Sequence, residues 1–268
     1  MPKYSEDFTP QEMIVVAGSR TLIDNKVVFA GTGLPMVAIT LAQLTHGPGI
    51  VPVFEAGAVG PELSRGLPLS VGGSRTTYKA NYLLGLNSAF ELTQRGFCDF
   101  GFIGGAEIDP YGNLNSTMMG SFPDGYNKPK TRLPGSGGAS DMACSCERTI
   151  IIMVHEPRRF NEKIDYITSP GYLDGSPNAR WRAGMAGQGP YRVITTKAIM
   201  GFDDETKRMK LIATLPGETV ESVQEATGFK LIIPDDVYAF EPPTVEEVRL
   251  IREVIDPKGY FVRKKIKE

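Results

Sequence analysis

The 268-residue sequence is short of the residues that build most reactive centres: it has three cysteines, two histidines and one tryptophan. An odd, small number of cysteines does not make a disulfide scaffold and points to the cytoplasm. Cys144 and Cys146 form a C-x-C, but His46 and His155 lie far from it in sequence. Four zinc ligands are therefore not assembled, and no metal is expected. Neither charge sign is in excess: 29 Lys and Arg stand against 31 Asp and Glu, a formal charge of −2. Neither nucleic acid nor an anionic membrane is an expected partner. No apolar run is longer than residues 150–154, far too short for a span, and the polar N-terminus lacks a signal-peptide core. No internal repeat and no Ser/Gly linker divides the chain, so residues 1–268 read as one domain, with a C-terminal strand/helix extension from about residue 190.

Glycine and proline are plentiful instead, 30 and 20 residues, and the glycines cluster at turns. Residues 10–23 predict a helix with Thr9 as N-cap and Pro10 in its first turn. Strands are predicted at 26–30, 49–54, 99–103 and 148–155, the last apolar enough for a central parallel strand. Helices are predicted at 36–44 and 80–95 by apolar spacing. Further on, 191–199 and 209–213 read as strands joined by the polar turn FDDETK. Residues 218–226 and 244–255 read as helices, the latter opening on a T-x-x-E capping box. The basic tail, 258–268, reads as a solvated terminus. Strands alternating with helices, each strand running into a glycine turn, predict an α/β fold with an open, mostly parallel sheet flanked by helices.

In such folds the functional loops gather at the carboxyl ends of the strands. Glu55 follows the apolar strand GIVPVF and is succeeded by the small residues AGAVG. A carboxylate in that setting is poorly hydrated and can serve as nucleophile or general base. Gly57 leaves backbone room there for a bulky reactant. Two glycine turns, Gly31-Thr32-Gly33 and the stretch holding Gly135, Gly137 and Gly138, can present consecutive N–H groups to an oxyanion. Glu107 in GGAEID is a possible second carboxylate, whereas Asp109 and Asn113 carry ordinary turn chemistry. A dinucleotide fingerprint is incomplete, because Met36 occupies its third glycine position. No Lys-Ser/Thr follows either glycine turn and no G-x-S-x-G occurs, which excludes a Walker A loop and a nucleophile elbow.

The segments GTGLP, EAG, FIGGAEIDPYGNLNST, PKTRLPGSGGA, RTIIIMVHEPRRF and KIDYITSPGYLDG, taken in this order, resemble the β subunits of class I CoA-transferases of the glutaconate CoA-transferase type. The resemblance implies an A (α) subunit as partner, an active site between the two subunits, and acyl-CoA and carboxylic acid as substrates without a further cofactor. It implies that Glu55 carries CoA as a glutamyl thioester. The amides of the two glycine turns would stabilise the oxyanion, and Asn115 would contact the reacting carboxyl group. Glu107 stands where these enzymes usually have glutamine. Residues 72–90 also differ from them, so glutaconate itself is not the expected acid. Two other readings accompany transfer: an acyl-CoA or ring-opening C–C hydrolase on the same scaffold, and a non-catalytic subunit completing a site carried by its partner.

Overall fold

Thr9 begins the first element as the sequence predicts. Its hydroxyl accepts the Glu12 amide while the Glu12 carboxylate accepts the Thr9 amide, so two otherwise orphaned donors are satisfied. The computed structural model describes residues 2–63, 66–120 and 126–262. By packing, the chain divides into two compact units, Met1–Phe102 with Glu241–Glu268, and Ile103–Phe240. The division falls well before residue 190, where the sequence reading starts its extension.

The first unit contains α1 (Pro10–Thr21), β1 (Val27–Ala30), α2 (Leu34–Leu44), β2 (Val51–Phe54), β3 (Ala58–Val59), β4 (Tyr82–Leu83), α3 (Leu86–Gln94) and β5 (Phe100–Ile103), which reaches the boundary. Strand β1 lies between β5 and β2 and is parallel to both. Strands β3 and β4 extend the sheet antiparallel beyond β2. Val15, Val16, Phe29, Met36, Ile39, Leu41 and Phe54 are fully shielded from water and form its core, and Phe90 of α3 stacks on Phe29 at 5.3 Å.

The second unit contains the hairpins β6 (Glu107–Ile108) with β7 (Leu114–Asn115) and β8 (Met118–Met119) with β9 (Thr131–Arg132). It continues with α4 (Ala139–Ser145), β10 (Arg148–Met153), α5 (Ala179–Arg182), β11 (Pro190–Thr195), β12 (Ala198–Phe202), β13 (Met209–Thr214), α6 (Val220–Glu225) and β14 (Tyr238–Ala239). Strands β10 and β11 pair parallel, β12 pairs antiparallel with both β11 and β13, and β14 pairs parallel with β13. The chain then returns to the first unit as α7 (Val245–Arg249), whose capping box on Thr244 is formed, and runs on as a π-type turn, Leu250–Ile255. Ion pairs from Arg20 to Glu247 and from Arg252 to Glu12, both with short contacts, fasten this return to α1.

The open α/β architecture is the one expected, with parallel pairs in each unit (β5, β1 and β2 in the first, β10 and β11 in the second) beside antiparallel ones. Three predicted elements need correction. The 80–95 helix begins only at Leu86, because Tyr82 and Leu83 pair with β3 and Gly85 caps the helix. The 191–199 strand is two strands. The Thr195 hydroxyl accepts the amides of Lys197 and Ala198 and donates to the Ala198 carbonyl, which closes a tight turn that propensity does not reveal. FDDETK therefore joins β12 to β13. The 244–255 helix widens to π geometry in its second half. Residues 263–268 of the basic tail lie outside the described residues.

Candidate active site

Strand register brings the first group of candidates together. Ala30 and Phe54 are opposite residues of the parallel pair β1 and β2, so Gly31 and Glu55 each leave the sheet one residue past the same rung. Neighbouring strands lie about 4.8 Å apart, which sets the Gly31-Thr32-Gly33 turn beside Glu55. A Cβ on Gly31 would rest 3.8 Å from the Phe102 carbonyl, so the end of β5 borders the same place.

Glu55 is half-buried, between the fully buried Phe54 and the buried Gly57 and Ala58. Among the described residues, its carboxylate has no hydrogen-bonding or ionic partner. The turn that carries it is closed by the Gly57 amide on the Phe54 carbonyl at 2.8 Å. Gly57 has φ +107°, and a Cβ there would lie 1.9 Å from the Leu84 carbonyl oxygen. The Leu84 amide in turn donates to the Gly57 carbonyl at 2.8 Å. Gly57 is thus the place where the Glu55 turn touches the backbone of another segment, and only glycine fits.

Gly33 has φ +98° and caps α2, and no neighbouring atom approaches within 4 Å of where its Cβ would be. Among the described residues, no acceptor takes the amides of Thr32, Gly33 or Leu34. They are the orphan donors of a helix N-terminus, with the positive end of the helix dipole behind them.

The remaining candidates lie in the second unit. Gly135 (φ +97°) and Gly137 (φ +50°) face open space, and Gly138 caps α4. The Gly135 amide is already committed to the Ser116 carbonyl at 2.8 Å, and Ser116 Oγ returns a bond to the Gly135 carbonyl at 3.0 Å. The amides left without an acceptor, among the described residues, are those of Ser136, Gly137 and Gly138. Ser116, which sequence reasoning passed over, therefore anchors the turn, and its own amide is held by Thr168 Oγ1 at 2.9 Å. No sequence signal separates this serine from any other in a polar loop.

Asn115 is fully buried, and its side chain is fully occupied. Nδ2 donates to Glu107 at 2.5 Å and to the Met118 carbonyl at 2.6 Å, while Oδ1 accepts the amides of Thr117 and Met118. Glu107 is buried and also accepts from Asn161 Nδ2 at 3.0 Å. Burial, reinforced by the nearby Asp165, raises its carboxyl above the ordinary glutamate value, although the amide donors oppose this. Asp109 accepts the amides of Tyr111 and Asn113 and the Asn113 side chain, the turn chemistry the sequence indicates. His155 is a core residue: its ring stacks on Phe160 and bonds Thr195 and Thr227, and burial lowers its pKa to about 4.

Residues 11–226 match the family described as coenzyme A transferase. The chain is 40% identical to the B subunit of glutaconate CoA-transferase from Acidaminococcus fermentans, over 96% of both chains. It is 36% identical to the B subunit of 3-oxoadipate CoA-transferase from Pseudomonas knackmussii, over 91% of this chain and 92% of that one. Among solved structures, the fold matches the glutaconate coenzyme A-transferase of A. fermentans with a TM-score of 0.89 and 38% identity, covering 98% of this chain and 100% of that one.

Proposed function

The chain belongs to the coenzyme A transferase family, and from that premise we propose that it is the subunit whose Glu55 carries CoA between two carboxylic acids. The observation that carries this reading is the state of Glu55: half-buried, one residue past a parallel strand pair, without a partner of its own among the described residues, beside the unclaimed amides of Thr32 to Leu34. A structural glutamate would be paired or fully hydrated. This one is held for a ligand.

The proposed chemistry follows from what a carboxylate can do. A Glu55 oxygen attacks the thioester carbonyl, and CoA leaves as thiolate, giving a mixed anhydride. The thiolate attacks the glutamyl carbonyl, releasing the first acid as carboxylate and leaving CoA on Glu55 as a thioester. A second carboxylate repeats both steps in reverse. The carrier must itself be an acid, so that each intermediate resembles reactant and product in energy and the exchange runs both ways. Negative charge develops on a carbonyl oxygen in each step, and unclaimed amides are suited to receive it because they need no reorganisation. The amides of Thr32, Gly33 and Leu34 are proposed for this role. The proposed role of Asn115 is indirect, since all its polar atoms are spent on Glu107 and on the 115–118 turn. CoA is substrate here, and no separate cofactor is invoked.

The relatives are named as B subunits, which supports an A-type subunit as the partner that completes the site. The proposed compartment is the cytoplasm, in keeping with the free thiols of Cys98, Cys144 and Cys146. The proposed acids are short dicarboxylic or oxo-dicarboxylic acids, the class named in both relatives.

The test uses the chain co-purified with its partner. Incubation with acyl-CoA followed by borohydride should convert Glu55 to the corresponding alcohol, found by peptide mass. Glu55→Ala should lower transfer by at least about 10³-fold. Full transfer by that variant would end the proposal. Labelled acid exchanging into acyl-CoA without net hydrolysis separates transfer from the hydrolase reading.

A further inference from the structure

The second unit holds an open cavity of about 900 Å³ whose wall includes Arg148, Arg180, Arg192, Lys207 and Lys210 against only Asp204 and Asp236. In a chain of net charge −2 this is a local reversal of sign. Among the described residues, none of the five cations forms an ion pair with a carboxylate. Arg180 is buried and spends its guanidinium on the carbonyls of Ala143, Pro170, Gly171 and Gly187, which solvate the charge without neutralising it. Arg148 and Arg192 both lie over the ring of Tyr191, at 4.9 and 3.8 Å from its centre, close enough to repel each other. Lys207 keeps a side chain at φ +57°, a conformation that glycine adopts at lower cost. Two large aromatic side chains stand at the same cavity with their rings largely in water: Trp181, the only tryptophan, 78% exposed, and Tyr238, 51% exposed.

Like charges gathered in a concave site and left unpaired are unfavourable unless an anion joins them. Arginine forks and ammonium groups are the usual receivers of phosphate, and exposed aromatic faces are the usual platform for a base. The cavity also lies away from the glycine turn of the same unit. Gly138 caps the start of α4, Arg148 follows its end, and the seven residues of the helix alone span about 10 Å.

We propose that this cavity binds a purine nucleoside di- or triphosphate, with its phosphates among Arg148, Arg192, Lys207 and Lys210 and its base on Trp181. This proposal does not depend on the Glu55 chemistry. The same chemistry occurs at the nucleotide end of CoA, so the experiment must tell the two sources apart.

The probe is ADP, added to the chain in complex with its partner subunit, and the readout is Trp181 fluorescence. Saturable quenching that disappears in Trp181→Phe is expected, with inorganic pyrophosphate competing. Arg148→Gln and Lys210→Gln, both at half-exposed positions and checked for unchanged melting, should each weaken ADP by at least about tenfold. Acyl-CoA at saturating concentration should leave the ADP curve where it was. Absence of quenching, or quenching indifferent to both substitutions, overturns the proposal. Displacement of ADP by acyl-CoA also overturns it, because the cavity would then be part of the transfer site. These readouts need no turnover, so loss of the Glu55 mechanism would leave them untouched.

Discussion

Replacing Gly57 by alanine should damage both stability and chemistry, for one geometric reason. The added methyl would sit 1.9 Å from the Leu84 carbonyl oxygen and 2.5 Å from the carbonyl carbon. Ordinary contact begins near 3.4 Å, so the two backbones must part by about 1.5 Å. That opens the 2.8 Å bond from the Leu84 amide to the Gly57 carbonyl, a loss of about 1 kcal/mol. Holding a non-glycine residue at φ +107° adds about 1–3 kcal/mol. The sum is roughly 2–4 kcal/mol of stability. Glu55 rides on the same turn, and misplacing a reacting group by about 1 Å costs on the order of 10²-fold in rate. Gly217→Ala supplies the control: it has positive φ too, but nothing lies within 4 Å of its Cβ. Thermal and urea denaturation of both variants, with transfer kcat measured on the intact complex, reads the difference. If Gly57→Ala melts and turns over like Gly217→Ala, the contact with Leu84 does not position the turn and the reasoning fails.

Three further outcomes are expected. His155 is neutral in the fold with a pKa of about 4, against 6.5 for the free group. The unfolded chain therefore binds a proton first as pH falls, and stability declines from about pH 6.5 to about pH 4 by roughly 3 kcal/mol. His155→Gln should flatten that decline in urea titrations across the window, and an unchanged slope contradicts it. Asn115→Ala should destabilise by at least about 3 kcal/mol, because it leaves two buried amides, a carbonyl and the Glu107 carboxylate each short of a bond; a loss below about 1 kcal/mol would show that water replaces it. Glu107 has a raised folded pKa, so its contribution is favourable when protonated and is lost as pH rises above the unfolded carboxyl value. The stability of Glu107→Gln relative to the parent should then increase from pH 4 to pH 7, and a decrease would show that the carboxylate is the preferred form.

Much of this protein is local enough to be read from its sequence. Thr9 with Glu12 and Thr244 with Glu247 announce two helix starts within four residues each, and the apolar stretches before GTG and EAG announce strands that end in turns. The resemblance to a family rests on the same short segments, and the similarity to the coenzyme A transferases along nearly the whole chain bears it out. What the sequence could not contain is anything that depends on register or on distant partners. That Gly31 and Glu55 leave the sheet on one rung follows from the pairing of Ala30 with Phe54. That Gly57 is a packing glycine follows from Leu84, 27 residues later along the chain. Nothing in one dimension pairs Asn115 with Glu107, but in the fold they are bound to each other and shielded from water, because burying a carboxylate requires donors. The cations of the second unit's cavity come from four separate stretches of chain with no common motif, and only folding gathers them where none forms an ion pair with a described carboxylate.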